Sequence, residues 1–467
     1  MLRITAAELR EIVGGELIGD ADRLVTGEVQ TDSRLVGPGD VFIAMPGEVT
    51  DGHRFAADAV AAGASLVIAE RALELDAPLV VVPSGLDALW ALAREIVARV
   101  RSGGRLRVVA VTGSNGKTTT KNLLRTILSA DGPTVAPAGS FNNEVGTPIS
   151  MLRVGPDTRY LVMELGADAE GEIAAMTTLA VPDVAIVLKV GTAHIGKFGG
   201  QEAIARAKSE LVRPLPAGAV AVLNREDPLV AAMAEQTAAR VVWFEPGGAG
   251  AEPDAWSASR VSIDLAGTAF LLRHAGIERE VRVPVIGEHH VANALAALAA
   301  ATELGVGLDA AIAALAGPAE VERWRMQVLR SPEGWTIIND AYNASPESMA
   351  AGLRALAELS RGRARAVAVL GEMAELGDWA VESHDRIGRQ VVRLNLDRLV
   401  VVGERALPIH LAAVQEGSWG GESIHVAGLE DAYDVVRALL EPGDIVLVKS
   451  SKSAELRFLG DRLAGLT

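Results

Sequence analysis

Two periods of apolar and polar residues share this chain. Short, nearly unbroken apolar runs at Val108 to Val111, Tyr160 to Met163, Asp183 to Val190 and Gly218 to Leu223 read as buried strands, because a strand covered on both faces has no solvent side to show. Between them lie helix-spaced segments such as Leu123, Leu124, Ile127 and Leu128. This alternation over residues 105–317 predicts a largely parallel sheet with helices on both faces. Around Val261 to Val285 the pattern changes to strict alternation, as in Val261-Ser262-Ile263-Asp264-Leu265, which predicts antiparallel strands added to one side.

After Gly317-Pro318 the strand and helix pattern restarts. Trp335 to Ile338, Ala366 to Leu370, Leu399 to Val402 and Ile445 to Val448 read as strands, and Ser345-Pro346-Glu347-Ser348 as a helix start with proline in the first turn. Residues 1–104 differ, with turn residues packed around one short apolar strand at Val41 to Met45, and Ser102-Gly103-Gly104 reads as a linker. The expectation is an α/β chain of three domains: a small α/β domain at 1–104, a central parallel-sheet domain at 105–317 and a Rossmann-like domain at 318–467.

At 467 residues the chain is too long for one ordinary core. The net charge of -16 argues against a nucleic-acid partner, since phosphate backbones want a basic face, but leaves a small anionic substrate open. With no cysteine, disulfides, thiolate nucleophiles and cysteine-held metals are excluded. The start, Met1 to Arg10, lacks the basic-then-apolar order of a secretion signal. The most apolar stretch, Val291 to Leu304, is alanine-rich and carries Asn293, Thr302 and Glu303, so it reads as a packed helix and no membrane insertion is expected. A monomer in the cytoplasm is the expectation.

The strongest chemical signal is Thr112-Gly113-Ser114-Asn115-Gly116-Lys117-Thr118-Thr119, set between an apolar strand and a helix. Glycines at 113 and 116 let successive main-chain N-H groups face phosphate oxygens, and the helix adds its positive end. Lys117 supplies a mobile ammonium, and the Thr118 hydroxyl suits a phosphate-bridging magnesium ion. The loop is shorter than the usual eight-residue form, which would need glycine where Val111 stands.

Other candidates are more ambiguous when taken by residue type alone. Glu164 ends a strand on the same sheet edge as the loop, where a second metal-holding carboxylate is expected, although a strand-end acid making a surface bond fits too. His194 ends another strand, and a hydrogen-bonding role suits imidazole better than magnesium. Helical spacing reads Lys208 as a solvated lysine. Asp340, Tyr342 and Asn343 follow a strand and suit ribose or adenine contacts or a structural turn equally. Ser33 and Arg34, on a turn-rich segment, suit either a phosphate or solvent.

Taken together, these stretches resemble the Mur ligases, which build the peptide stem of peptidoglycan. The resemblance runs through Asp32-Ser33-Arg34 and Asp51-Gly52-His53, the phosphate loop, Asn142-Asn143-Glu144-Val145-Gly146-Thr147-Pro148, Glu164-Leu165-Gly166-Ala167 and Gly191-Thr192-Ala193-His194. It continues in Asn339-Asp340-Ala341-Tyr342-Asn343-Ala344-Ser345-Pro346-Glu347-Ser348-Met349 and Val369-Leu370-Gly371-Glu372-Met373-Ala374-Glu375-Leu376-Gly377. These last two stretches look like the member that extends the nucleotide-linked tripeptide with D-alanyl-D-alanine. The member that adds the third stem residue is the alternative; its Asp-Asn-Pro-Arg string is not found in the last domain. Folylpolyglutamate synthetases share the ATP domain but not the first block.

The resemblance implies an ATP-dependent ligase that works through an acyl phosphate, with UDP-N-acetylmuramoyl-tripeptide, D-Ala-D-Ala and ATP as its partners. It implies ATP on Gly113 to Thr119 with Asn293, Arg325, Asp340 and Asn343, and Mg2+ held by Thr118, Glu164 and His194. It also implies a carbamylated Lys208 beside the metal, the uridine end near Ser33 and Arg34, and substrate contacts at Asn142 and Asn143. Lys117, Glu164, His194 and Lys208 are the implied catalytic set. Two departures stand out: His290 where the family has asparagine, and Lys449-Ser450-Ser451-Lys452 where it has Lys-Gly-Ser-Arg. The third domain is expected to close over the second and bring Asp340 and Asn343 onto ATP. From the loop alone, a phosphate-loop kinase and a nucleotide-gated binding module remain open.

Overall fold

The structure is a computed structural model that describes residues 3–47, 50–139, 141–248, 252–317, 322–416 and 422–466. The expected domain start at Pro318 and the first two residues of the chain lie outside the described residues. Three principal sheets, of five, nine and six strands, follow one another along the chain.

The five-stranded sheet orders Glu16–Ile18, Leu79–Val81, Leu66–Ala69, Val41–Ala44 and Val29–Gln30, antiparallel only at the Glu16–Ile18 edge. Helix Gly85–Ser102 packs on it through Leu89, Leu92, Ile96 and Val97, spaced along one stripe. Its start is fixed by the Ser84 side chain accepting from Asp87 N-H, and its charges oppose the helix dipole, with Asp87 first and Arg99 and Arg101 last.

The nine-stranded sheet explains the two periods in the sequence. From Thr134–Val135 through Tyr160–Glu164, Arg107–Thr112, Val184–Val187, Val220–Asn224 and Arg240–Glu245 to Trp256–Asp264, neighbouring strands are parallel; Gly267–His274 and Ile277–Val283 then add antiparallel. The strands Tyr160–Glu164, Val184–Val187 and Val220–Asn224 are buried on both faces, whereas Ile277–Val283 at the antiparallel edge is mostly exposed. Val109, Val111, Val162 and Ile186 sit in one core with residues of helices Lys117–Asp131 and His290–Glu303. Val108, Ala110, Leu161 and Val187 turn the other way, into a core shared with the flanking sheets. Helix His290–Glu303 is the packed helix expected from Val291 to Leu304, with Leu295 and Leu298 fully buried. Each such leucine contributes roughly 1.5–3 kcal/mol by leaving water.

One strand is shorter than its apolar run. Asp183 to Val190 reads as a single strand, yet the ladder covers only Val184–Val187. Beyond it, Leu188 O accepts from Asn224 Nδ2 and Lys189 O accepts from Ser114 N-H, so the backbone leaves the sheet to brace the phosphate loop. The six-stranded sheet orders Gln327–Arg330, Thr336–Asn339, Ile445–Lys449, Ala366–Leu370, Arg398–Val402 and Ser423–Val426, all parallel except Gln327–Arg330. Helix Pro346–Ser360 begins as its sequence indicates, with Ser345 as a capping-box residue and proline in the first turn.

Candidate active site

Register decides which strand ends meet. Glu164 pairs with Val111 and Val187 with Thr112, so the ends of Tyr160–Glu164 and Val184–Val187 flank the turn that begins at Gly113. Gly116 closes that turn at φ 88°, a left-handed conformation that disfavours any side chain, and a Cβ there would lie 2.3 Å from Asn293 Oδ1. The helix Lys117–Asp131 starts at the next residue. Lys117 donates to Gly113 O at 2.7 Å, and its ammonium is pushed below its ordinary pKa by burial, with the Glu164 carboxylate opposing.

Behind the loop lies a fully buried carboxylate. Thr118 Oγ1 donates to Glu164 Oε1 at 3.0 Å and Asn142 Nδ2 to the same oxygen at 2.9 Å, while Oε2 is buried without a hydrogen-bond partner. An unpaired buried carboxylate oxygen beside a hydroxyl is costly unless something positive joins it. Glu164 is thus no surface acid. Asn143 spends its side-chain oxygen on Gly146 N-H at the start of helix Gly146–Met151.

Lys208 overturns the reading by spacing. Instead of facing solvent it is 4% exposed and lines the same cavity as Lys117 and Glu164. Helix Gln201–Ser209 turns its Ile204, Ala207 and Lys208 side inward, and spacing cannot distinguish a buried lysine from an exposed one when its neighbours are small. Burial first and the Lys117 charge second bring its pKa down to about 7. His194 is half-buried, at the left-handed φ of 62°. Its Nδ1 faces Glu375 Oε2 and, at 3.4 Å, Asp168 Oδ1; burial lowers its pKa and Glu375 opposes.

The two larger sheets meet here. Ser345 Oγ donates to Asn115 Oδ1 at 3.1 Å, and Glu347 Oε1 accepts from Thr192 N at 2.9 Å and Thr192 Oγ1 at 2.8 Å. Lys197 bridges Asp168 and Glu375 at 2.7 Å each, and Gly196 N-H donates to Glu375 O at 3.1 Å. A Cβ at Gly196 would stand 2.7 Å from Gly377 N, so the backbones approach closely only because both are glycine.

The far wall carries the remaining candidates. Asn293 Nδ2 lies 3.0 Å from His290 Nδ1, a ring that burial holds well below its ordinary pKa and therefore neutral. Arg325 lies over the Tyr342 ring at 4.2 Å and reaches Thr118 Oγ1 at 3.5 Å. Asp340 accepts from Lys449 Nζ at 2.5 Å and from Met326 N-H at 3.0 Å. A cavity of about 560 Å³ joins Ser114, Asn115, Thr119, Asn142, Asn143 and Asn343 to His290, Arg325, Asp340 and Lys449, while Asn293 does not line it and stands against the Gly116 turn.

Ser33 and Arg34 are not brought to this cavity. They occupy the one-turn helix Ser33–Leu35, with Arg34 exposed and its guanidinium on Asp32 Oδ2 at 2.6 Å. Residue-by-residue reading missed Ser345, Glu347, Glu375 and Lys449 as members of the site. The signal for Glu347 was present as a carboxylate in a proline-started first turn, but its partner lies in another domain.

The donor set fits magnesium: a hydroxyl, a carboxylate with a spare oxygen and room for phosphate are hard oxygen ligands. No helix among the described residues is long and apolar enough to cross a membrane.

Family models match along the chain: "Mur ligase family, catalytic domain" at residues 27–100, "Mur ligase middle domain" at 111–301 and "Mur ligase, glutamate ligase domain" at 324–452. The UDP-N-acetylmuramoyl-tripeptide--D-alanyl-D-alanine ligase of Mycobacterium tuberculosis is 45% identical across 99% of this chain and 98% of its own length. A solved MurF from Acinetobacter baumannii is similar at a TM-score of 0.87 and 32% identity, covering 100% of this chain and 99% of that one. The MurF ligase of Thermotoga maritima in complex with ADP reaches a TM-score of 0.80 at 28% identity, over 94% of this chain and 98% of that one.

Proposed function

The chain belongs to the Mur ligase family, and from that premise we propose that it joins D-alanyl-D-alanine to UDP-N-acetylmuramoyl-tripeptide at the expense of ATP, in peptidoglycan precursor synthesis. The observation that carries this reading is the single cavity in which the phosphate loop, Glu164, His194 and Lys208 of one sheet face Asp340 and Asn343 of another. The ADP bound by the Thermotoga maritima relative supports a nucleotide on Gly113 to Thr119.

A carboxylate resists attack by an amine because its oxygen is a poor leaving group. The tripeptide's terminal carboxylate attacks the γ-phosphorus of ATP, the bond to the bridging oxygen breaks, and ADP leaves with that electron pair. The dipeptide's amine then adds to the acyl carbon, loses a proton and expels phosphate. Two anions must meet in the first step. Lys117 offsets that repulsion at the β and γ phosphates, while the loop N-H groups fix the leaving end. Thr118, Glu164 and His194 would hold magnesium, which when bound neutralises triphosphate charge.

Lys208 suits carbamylation. It is buried and lines the cavity, and a pKa near 7 leaves much of its amine neutral and able to add to carbon dioxide. The carbamate would replace a buried cation by an anionic oxygen ligand. Arg325, Asp340 and Asn343 close the nucleotide end, Asn142 and Asn143 flank the acyl end, and the half-buried Ser33 and exposed Arg34 receive the uridine diphosphate.

The deciding assay follows ADP release from ATP with the nucleotide-linked tripeptide, with and without D-Ala-D-Ala, and weighs the product by mass spectrometry. Sustained turnover that needs both, with an amide product, is expected. A stable phosphate ester on a substrate hydroxyl, formed with sustained turnover without the dipeptide, would move the assignment to a kinase, and binding without turnover to a nucleotide-gated module.

A further inference from the structure

The connector into the six-stranded sheet carries a cavity-lining arginine between two residues in an unfavourable conformation. Trp324 has φ 63° and Met326 φ 48°, both left-handed and neither glycine, with Arg325 between them. Such geometry is strained for a residue with a Cβ and persists only where the surroundings impose it.

The imposing groups can be named. Met326 N-H donates to Asp340 Oδ1 at 3.0 Å, and Trp324 N-H to Gln327 Oε1 at 3.0 Å. The Trp324 indole donates to Asp461 Oδ2 at 2.9 Å, and Arg323 Nη2 donates to the same oxygen at 2.7 Å. The other oxygen, Asp461 Oδ1, accepts from Asn339 Nδ2 at 3.1 Å. Asn339 is fully buried at the end of strand Thr336–Asn339, one residue before Asp340. Asp461 itself is 6% exposed on helix Leu456–Leu463, near the end of the chain and outside the cavity.

One buried carboxylate therefore grips the residues next to two nucleotide-side groups: Trp324 beside Arg325 and Asn339 beside Asp340. We propose that Asp461 is a positioning residue for ATP, setting the Arg325 guanidinium over Tyr342 and toward Thr118 through the Trp324 indole. This deepens the ligase reading and rests on it, because it takes Arg325 to contact the nucleotide.

The test is a double-mutant cycle on the full-length enzyme, reading kcat and KM for ATP and, separately, KM for the nucleotide-linked tripeptide. Asp461→Asn keeps the volume, and Trp324→Phe removes the indole N-H together with part of the ring system while keeping an aromatic face toward Phe458. Each is expected to raise KM for ATP about tenfold, the scale of a lost charge-assisted hydrogen bond, with KM for the tripeptide unchanged. In an Arg325→Ala background the same changes are expected to add less than about twofold, because their route to ATP is already gone. Asp461→Asn and Trp324→Phe that leave KM for ATP unchanged, or that multiply fully with Arg325→Ala, would overturn the proposal. Loss of folding in Asp461→Asn, judged by thermal melting, leaves Trp324→Phe to decide. If Arg325→Ala alone has no effect on ATP, the nucleotide reading of Arg325 fails instead, a different outcome from failure of the anchor.

Discussion

Glu347 and Thr192 stand 155 residues apart and meet through two hydrogen bonds to one carboxylate oxygen, from the Thr192 amide at 2.9 Å and its hydroxyl at 2.8 Å. Glu347 sits in the first turn of Pro346–Ser360, and Thr192 two residues before His194. The pair joins the sheet that holds the phosphate loop to the sheet that follows it. Burial raises the carboxyl's pKa, but the bonds from Thr192 and Ser345 outweigh it and hold the net value low. A depressed carboxylate contributes stability above its ordinary range and loses it as pH falls through the folded value, so at neutral pH the contact is at full strength.

Glu347→Gln should therefore weaken closure without unfolding either sheet. The expected result is a kcat reduced about tenfold, the scale of charge-assisted bonds, and a wider solution envelope by small-angle scattering at pH 7. An unchanged envelope together with unchanged kcat would mean that the contact does not govern closure.

Lys117→Met removes the ammonium while keeping the helix start. ADP formation is expected to fall by at least about a thousandfold, as when a preorganised charge is taken from a phosphoryl-transfer site, with the melting temperature little changed. Steady-state ADP release checks it, and near-normal turnover would take the loop out of the chemistry.

Glu164→Gln keeps the bond from Thr118 in reach but removes the charge. The magnesium concentration needed for half-maximal activity is expected to rise about tenfold or more, because a neutral amide is a weaker ligand for a hard cation. A magnesium titration reads this directly, and an unshifted midpoint would remove Glu164 from the metal's surroundings.

Lys208 gives a pH signature. Its pKa is lowered to about 7 in the fold against an ordinary value of 10.5, so the unfolded chain binds more protons between those limits. Its cost is full below about pH 7 and is relieved as pH rises toward 10.5. In buffer freed of carbon dioxide, the native protein should gain stability over that window relative to Lys208→Met, measured by urea unfolding at several pH values. In the same window Lys208→Ala should lose activity that a small carboxylic acid partly restores.

Gly116→Ala asks for a left-handed alanine whose Cβ meets Asn293 Oδ1 at 2.3 Å. Strain alone predicts a loss of about 1–2 kcal/mol, and the displaced Asn293 should weaken ATP binding as well. Thermal melting with and without ATP separates the two effects, and a variant as stable and as tightly binding as the native chain would contradict the loop geometry.

Much of this was legible along the chain because it is local. Phosphate-loop spacing, the proline-started helix at Ser345 and the Ala366–Leu370 strand depend on neighbours a few residues away, and the structure has each where the pattern puts it. The short strand Val184–Val187 was misread because apolar run length does not reveal where a backbone leaves the ladder to bond Asn224 and Ser114.

The α/β alternation, the phosphate loop and the family can be read along the chain, since these reside in periodicity and in contiguous motifs. Tertiary structure alone decided that Lys208 is buried, that Glu164 keeps one oxygen unpaired, that Glu347 clasps Thr192 and that Asp461 reaches Trp324. Those are properties of desolvation and of contacts across tens to hundreds of residues. A residue's charge and spacing are written in the chain, but the dielectric around it and the partner it meets come from how the sheets pack.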